Sequence, residues 1–246
     1  MCRMFKSVVP AVLLVLFSLF TQLAQADEPA KSTFKIFKSY GEAVAFYKDK
    51  GQLVHNTGDV FMGYSLEPFG SRDKAMAEAQ EKAQKANASA VIISQDFRRT
   101  YNTPPPGTSW YGTYNVIGLA GITPVEATPA NLLSEIQHNP GVVGFYFELA
   151  KKPEYKSLTK DYRDIIRTKN DENTQGMSHL VRLIAFHDGK ACGDDLLKWV
   201  KYHKNPEVRL ASYLALIEFG RTAEVEETLK TEANNDVKAK VQKSLI

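Results

Sequence analysis

The sequence predicts an α+β chain: a β-α-β-β-α-β-like sandwich domain over residues 27–152, then a small α-helical repeat domain over residues 153–246. Three observations carry this expectation. Apolar residues alternate with the period of two that a half-buried strand requires, around Val60–Leu66, Ala90–Phe97, Ser109–Leu119 and Val142–Leu149. Segments of helical period separate the first run from the second and the third from the fourth, with a further helix ahead of the first. After Lys151-Lys152-Pro153 no strand pattern recurs, and the apolar spacing stays helical to the C-terminus.

The first 26 residues read as a secretory signal peptide. Arg3 and Lys6 give a positive start, Val8–Phe20 is an apolar run, and Ala24-Gln25-Ala26 supplies the small residues a signal peptidase accepts. The apolar core is roughly 13 residues, short of the ~20 that a spanning helix needs, so no membrane span is expected after cleavage. The expected location is periplasmic or secreted. Cys2 leaves with the signal, and Cys192 is then the one remaining cysteine, unable to form an internal disulfide.

Asp27–Ser39 is polar, with Phe34, Ile36 and Phe37 as a short edge element. Ala43, Val44, Phe46 and Tyr47 mark a helix over Tyr40–Lys50, closed by Gly51. Val60, Met62, Tyr64 and Leu66 share one strand face, and Pro68-Phe69-Gly70 ends that strand. Ser71 caps a helix over Lys74–Ala86, whose alanine face (Ala75, Ala79, Ala83, Ala86) lets it sit close on a sheet. Asn87 tolerates the left-handed turn that ends a helix. A strand over Ala90–Phe97 leads through the proline-rich loop Tyr101–Thr108, which cannot donate as a sheet interior must, to the returning strand Ser109–Leu119. Thr128-Pro129 starts a short helix, Asn139-Pro140-Gly141 stops it, and Val143, Phe145, Phe147 and Leu149 alternate as a last strand.

The helical third carries segments at Thr159–Thr168, Gly176–Phe186, Asp194–Tyr202, Pro206–Phe219, Thr222–Glu232 and Asp236–Leu245, with Lys169–Thr174 as a polar linker. Asn205-Pro206-Glu207-Val208-Arg209 recurs about 29 residues later as Asn234-Asn235-Asp236-Val237-Lys238. Val208, Arg209, Ala211, Ala215 and Leu216 make this resemble a HEAT repeat, whose helix carries V-R-x-A-x-x-x-A-L after a turn. The resemblance implies a protein-binding scaffold. Leu210–Phe219 is apolar nearly all round, as a helix buried between neighbours should be. Gly63-Tyr64-Ser65, followed by the alanine-rich helix and Ala86-Asn87-Ala88-Ser89-Ala90-Val91, looks like small exported α+β domains of bacterial envelopes, with Asn87 where that pattern has glycine. That likeness implies a bacterial periplasm.

The chain holds 31 basic and 28 acidic residues, a difference that falls to about +1 once Arg3 and Lys6 are removed. No basic stripe stands out, which argues against nucleic acid as a partner. Gly63-Tyr64-Ser65-Leu66-Glu67 begins like a nucleophile elbow, but Glu67 replaces the glycine that the sharp turn requires. No phosphate-cradling glycine loop occurs, and no cofactor is implied. His179, His187, Cys192, Asp194, Asp195 and His203 form the richest polar cluster, without the paired spacing of a zinc site. The favoured reading is therefore a non-enzymatic exported envelope protein that binds an unknown protein partner. Two alternatives stand beside it: an exported hydrolase or metal-dependent enzyme using His187, Cys192 and Asp194, and a glycan- or peptide-binding module at Tyr101, Trp110, Tyr111 and Tyr114.

Overall fold

The computed structural model describes residues 34–67, 70–104, 106–107, 109 and 111–246. The expected signal peptide lies outside the described residues. The described chain is α+β. Strands β1 (Lys35–Phe37), β2 (Gln52–Leu66), β3 (Ala90–Tyr101) and β4 (Gly112–Glu126) form one mixed sheet in the order β1-β3-β4-β2. Two compact units divide the chain. One is Val60–Val91 with Gln95–Gly121 and the segment ending at Ile36; the other is Phe37–Asp59, Ile92–Ser94 and Ile122–Ile246.

In the first unit, α2 (Arg72–Lys85) packs through Ala75, Ala79 and Ala83, all fully buried, while Ala86 of the expected alanine face is the exposed C-cap, because the helix ends before it. Ser71 accepts a hydrogen bond from Lys74 N at the start of α2. At its end Ala88 N donates to Ala83 O and Asn87 N to Gln84 O, a Schellman turn with Asn87 left-handed at φ 58°. An asparagine there carries a Cβ cost that glycine avoids. Asn87→Gly is expected to stabilise the protein by about 0.5–1 kcal/mol, and Asn87→Ala to destabilise it by about 1 kcal/mol, read as shifts in urea midpoint. An Asn87→Gly variant less stable than wild type would contradict this.

In the second unit, α1 (Tyr40–Lys48) starts at Ser39, which accepts from Glu42 N, while Glu42 accepts from Lys38 N at 2.8 Å. Helix α3 (Pro129–His138) is capped by Thr128 and led by Pro129, as the sequence indicates. The strand expected over Val142–Leu149 is helical instead. A 3-10 turn covers Pro140–Gly144 and helix α4 covers Phe147–Ala150. Asn139 accepts from Gly141 N, and Pro140 takes the N1 position, so the local chemistry starts a helical turn. The buried residues are Val142, Val143, Tyr146 and Ala150, a helical rather than an alternating period. Without that strand, the β-α-β-β-α-β order stops at its second helix.

Helices α5 (Thr159–Thr168), α6 (Met177–Asp188), α7 (Gly193–Tyr202), α8 (Pro206–Glu218), α9 (Thr222–Leu229) and α10 (Asn235–Ser244) follow. Helix α5 packs on α6 and α7 on α8, while α6 and α10 both lie against α8. Asn205 caps α8 and Asn234 caps α10 in the same way, each accepting from the N–H two residues on. The polar run Lys169–Thr174 is an ordered turn: Asp171 accepts from Asn173 N and Thr174 N, both at 2.8 Å. Buried Asn205 donates to Thr174 O, and His203 Nε2–H donates to Ile166 O, tying this turn to the head of α8. No helix among the described residues is long and apolar enough to cross a membrane.

Candidate functional site

Helix α8 is apolar nearly all round, yet not all of it is buried. Val208 and Leu216 face the packed interior, Ala211 and Ala215 are buried on the groove side, and Leu210, Leu214 and Phe219 remain half-buried along that same side. That side, with Phe147 of α4 and Ser178, Arg182, Ala185 and Phe186 of α6, lines an open groove of about 680 Å³. Phe186 is largely exposed. Lys151 Nζ sits 5.0 Å from the Phe147 ring centre and 5.4 Å from that of Phe186, and the Arg182 guanidinium 4.8 Å from that of Phe147. These cations cap aromatic faces at one rim. Glu207 and Glu218, also lining the groove, bring acidic groups from the two ends of α8. The groove therefore offers an apolar floor with charges of both signs at its margins, the chemistry that takes up an amphipathic segment. Leu210, Leu214 and Phe219 were legible in the sequence as part of an apolar helix. Phe147 and Phe186 were not legible as groove residues, because their meeting with α8 is tertiary.

Of the repeat-motif residues, Val208 and Leu216 are buried in the packing of α8, Ala211 and Ala215 also line the groove, and Arg209 is largely shielded from water by its partners. Its Nε and Nη2 donate to both oxygens of Glu232 at 2.9 Å, and its Nη1 donates to His203 O and Lys204 O at 2.8 Å.

The loop aromatics go to different places. Tyr114 is buried, edge-to-face with Tyr64 at 6.3 Å and with Tyr101 at 5.7 Å between ring centres, which is cross-strand packing. Tyr111 is 65% exposed. Trp110 lies outside the described residues. Ser65 of the elbow-like run lies within β2 and is buried, with no sharp turn around it.

The His/Cys/Asp cluster does not converge. His187 Nε2 lies 2.7 Å from Ala150 O, His203 is spent on Ile166 O and Asn205 N, and Asp194 pairs with Arg221. Among the described residues, no group of three or more His, Cys, Asp and Glu side chains is placed to hold a metal ion. Cys192 is fully buried and its Sγ–H donates to Gly189 O at 3.0 Å. Burial pushes its thiol up to about 11, against a smaller opposing pull from Arg163. A thiol so held is a poor nucleophile. Native protein is expected to resist alkylation by iodoacetamide at pH 8 and to react fully once unfolded in guanidinium. Rapid labelling of the native protein would show that Cys192 is accessible.

No protein-family model matches the chain, and no curated protein or solved structure matches it significantly.

Proposed function

We propose that this is an exported, non-catalytic binding protein that holds an amphipathic segment of a partner protein in the groove between α6 and α8. The observation carrying this reading is the half-buried row Leu210, Leu214 and Phe219 facing Phe147 and Phe186 across an open groove. Water-facing apolar surface gathered in one concavity, rimmed by Lys151, Arg182, Glu207 and Glu218, favours a partner over solvent. The cleavable signal expected over residues 1–26 supports an extracytoplasmic location, and the HEAT-like pattern at Val208–Leu216 supports a short scaffold array. The bacterial envelope is the setting that the resemblance of the Gly63–Val91 region suggests.

The test uses tagged mature protein and three variants, recovered from the exported fraction. Wild type and Tyr111→Ala are expected to retain one stoichiometric partner. Leu214→Asp and Phe186→Asp are expected to lose it, with affinity down about thirty-fold or more, as for a central anchor contributing about 2 kcal/mol. Both substituted side chains are partly exposed, so folding should survive. Equal recovery by Leu214→Asp would remove the groove from the reading.

A further inference from the structure

A second cavity, of about 820 Å³, lies elsewhere in the same unit, and its chemistry differs from that of the groove. Its wall holds Glu135 of α3, whose side chain is 10% exposed, against His55 of β2, whose side chain is 43% exposed. Glu135 occupies a core-facing position beside Leu132 and Ile136. An apolar residue would fill such a position at lower desolvation cost, so the carboxylate calls for a reason beyond packing. Its contact with His55 supplies one. A carboxylate only accepts, so His55 Nδ1 carries the proton donated to Glu135 Oε1. In the neutral ring the lone pair then falls on Nε2, which is the acceptor the pair offers to the cavity. The same logic sets two donors. Asn56 Oδ1 accepts from Gly58 N at 2.9 Å and Asn139 Oδ1 from Gly141 N at 3.0 Å. Each amide is held by its oxygen, and its NH2 group is left to donate. Tyr40 and Phe145 meet edge-to-face at 5.3 Å on the same wall, a rigid aromatic surface. No lysine or arginine lines the cavity.

We propose that this cavity binds a neutral, hydroxyl-rich ligand of the size of a disaccharide, with His55 Nε2 accepting from one hydroxyl. A fixed acceptor, two fixed amide donors and an aromatic face are the groups that recognise a sugar ring, and the volume lies in the range of small-ligand sites. An anion would find no lysine or arginine to pair with. The site is carried by different residues from the groove and does not depend on it.

The experiment is calorimetric titration of mature protein with cellobiose, maltose and chitobiose at millimolar concentration, with spermidine and pyrophosphate as charged probes. At least one disaccharide is expected to bind and both charged probes to fail. His55→Phe should weaken that binding by up to about tenfold, as loss of one hydrogen bond does. Glu135→Leu should weaken it while leaving the urea midpoint unchanged or higher, a combination that a merely structural pair would not give. Leu214→Asp should leave sugar binding intact. Nitrogen NMR at pH 8 gives an answer independent of any ligand: the His55 ring should carry its proton on Nδ1. A proton on Nε2, binding of no disaccharide, or tighter binding of a charged probe would each overturn the proposal.

Discussion

Gly63→Ala is expected to destabilise the protein by about 3 kcal/mol, the upper end of what overpacking usually costs. A Cβ built on Gly63 would lie 1.8 Å from Ala75 O and 2.8 Å from Ala79 N. Both neighbours are helix backbone, so no rotamer can relieve the contact. Either α2 lifts from β2 or the strand bends away. Lifting α2 would open the fully buried row Ala75, Ala79 and Ala83 to water. It would also stretch two ties that hold helix to strand. Tyr64 N donates to Glu78 Oε2 at 2.7 Å, and Lys82 Nζ donates to Met62 O at 2.8 Å. The first of these covers a strand N–H with a helix carboxylate, so its loss leaves a backbone donor unpaired. Urea denaturation of the variant would read the cost directly. A midpoint within error of wild type would mean that α2 does not ride on Gly63 as the structure has it.

Legibility in the sequence followed the range of the interaction. Ser39, Ser71, Thr128, Asn205 and Asn234 each cap a helix through an N–H two or three residues away, and every one of those helices begins within a few residues of its sequence expectation. Asn87 was equally local, its left-handed turn a property of one residue. Strand ends were less legible, because alternation marks a strand only where one face is buried. His55–Asp59 lies inside β2 but is polar and mostly exposed, so the sequence places that strand's start too late. Beyond Ile93, β3 runs on through exposed residues to Tyr101 for the same reason. The Val142–Leu149 error is the reverse case. Apolar residues alternate there by type, but Asn139 and Pro140 commit the backbone to a helical turn before alternation can act.

The two candidate sites divide in the same way. Leu210 and Leu214 declare themselves as surplus apolar surface on a helix with an already sufficient buried face. Glu135 also left a trace, a charge at the spacing of Leu132 and Ile136 where a core residue belongs. His55 left none, since nothing in its own neighbourhood points to a residue 80 positions away. A buried polar pair of long sequence separation is the feature a single sequence conceals best, because neither partner is anomalous until the other is beside it.

Arg209→Met is expected to cost about 3 kcal/mol, the low end for breaking a buried ion pair. Glu232 is 2% exposed at its side chain and Arg209 15%, so the pair is largely shielded from water. Two parallel hydrogen bonds join them, and Glu232 Oε1 also accepts from Asn234 N at 2.8 Å, which places the head of α10. Removing the guanidinium leaves a buried carboxylate without its partner, and the carbonyls of His203 and Lys204 lose their donor. Replacing both residues by apolar ones should cost less than the sum of the single changes, since no charge is then stranded. The same pair sets an acid limit. Burial works to raise the Glu232 carboxyl, but the Arg209 hydrogen bonds, the Asn234 N–H and the attraction of Arg209 outweigh it and hold it below its ordinary value. Its contribution is then full above the unfolded carboxylate value of ~4.3 and is lost as pH falls through the lowered folded value. The wild type should therefore lose stability steadily as pH falls from about 5 to 3, and Glu232→Gln should start lower and fall less steeply. Urea midpoints across that range decide it: parallel wild-type and Glu232→Gln profiles would mean that this pair does not join α8 to the head of α10.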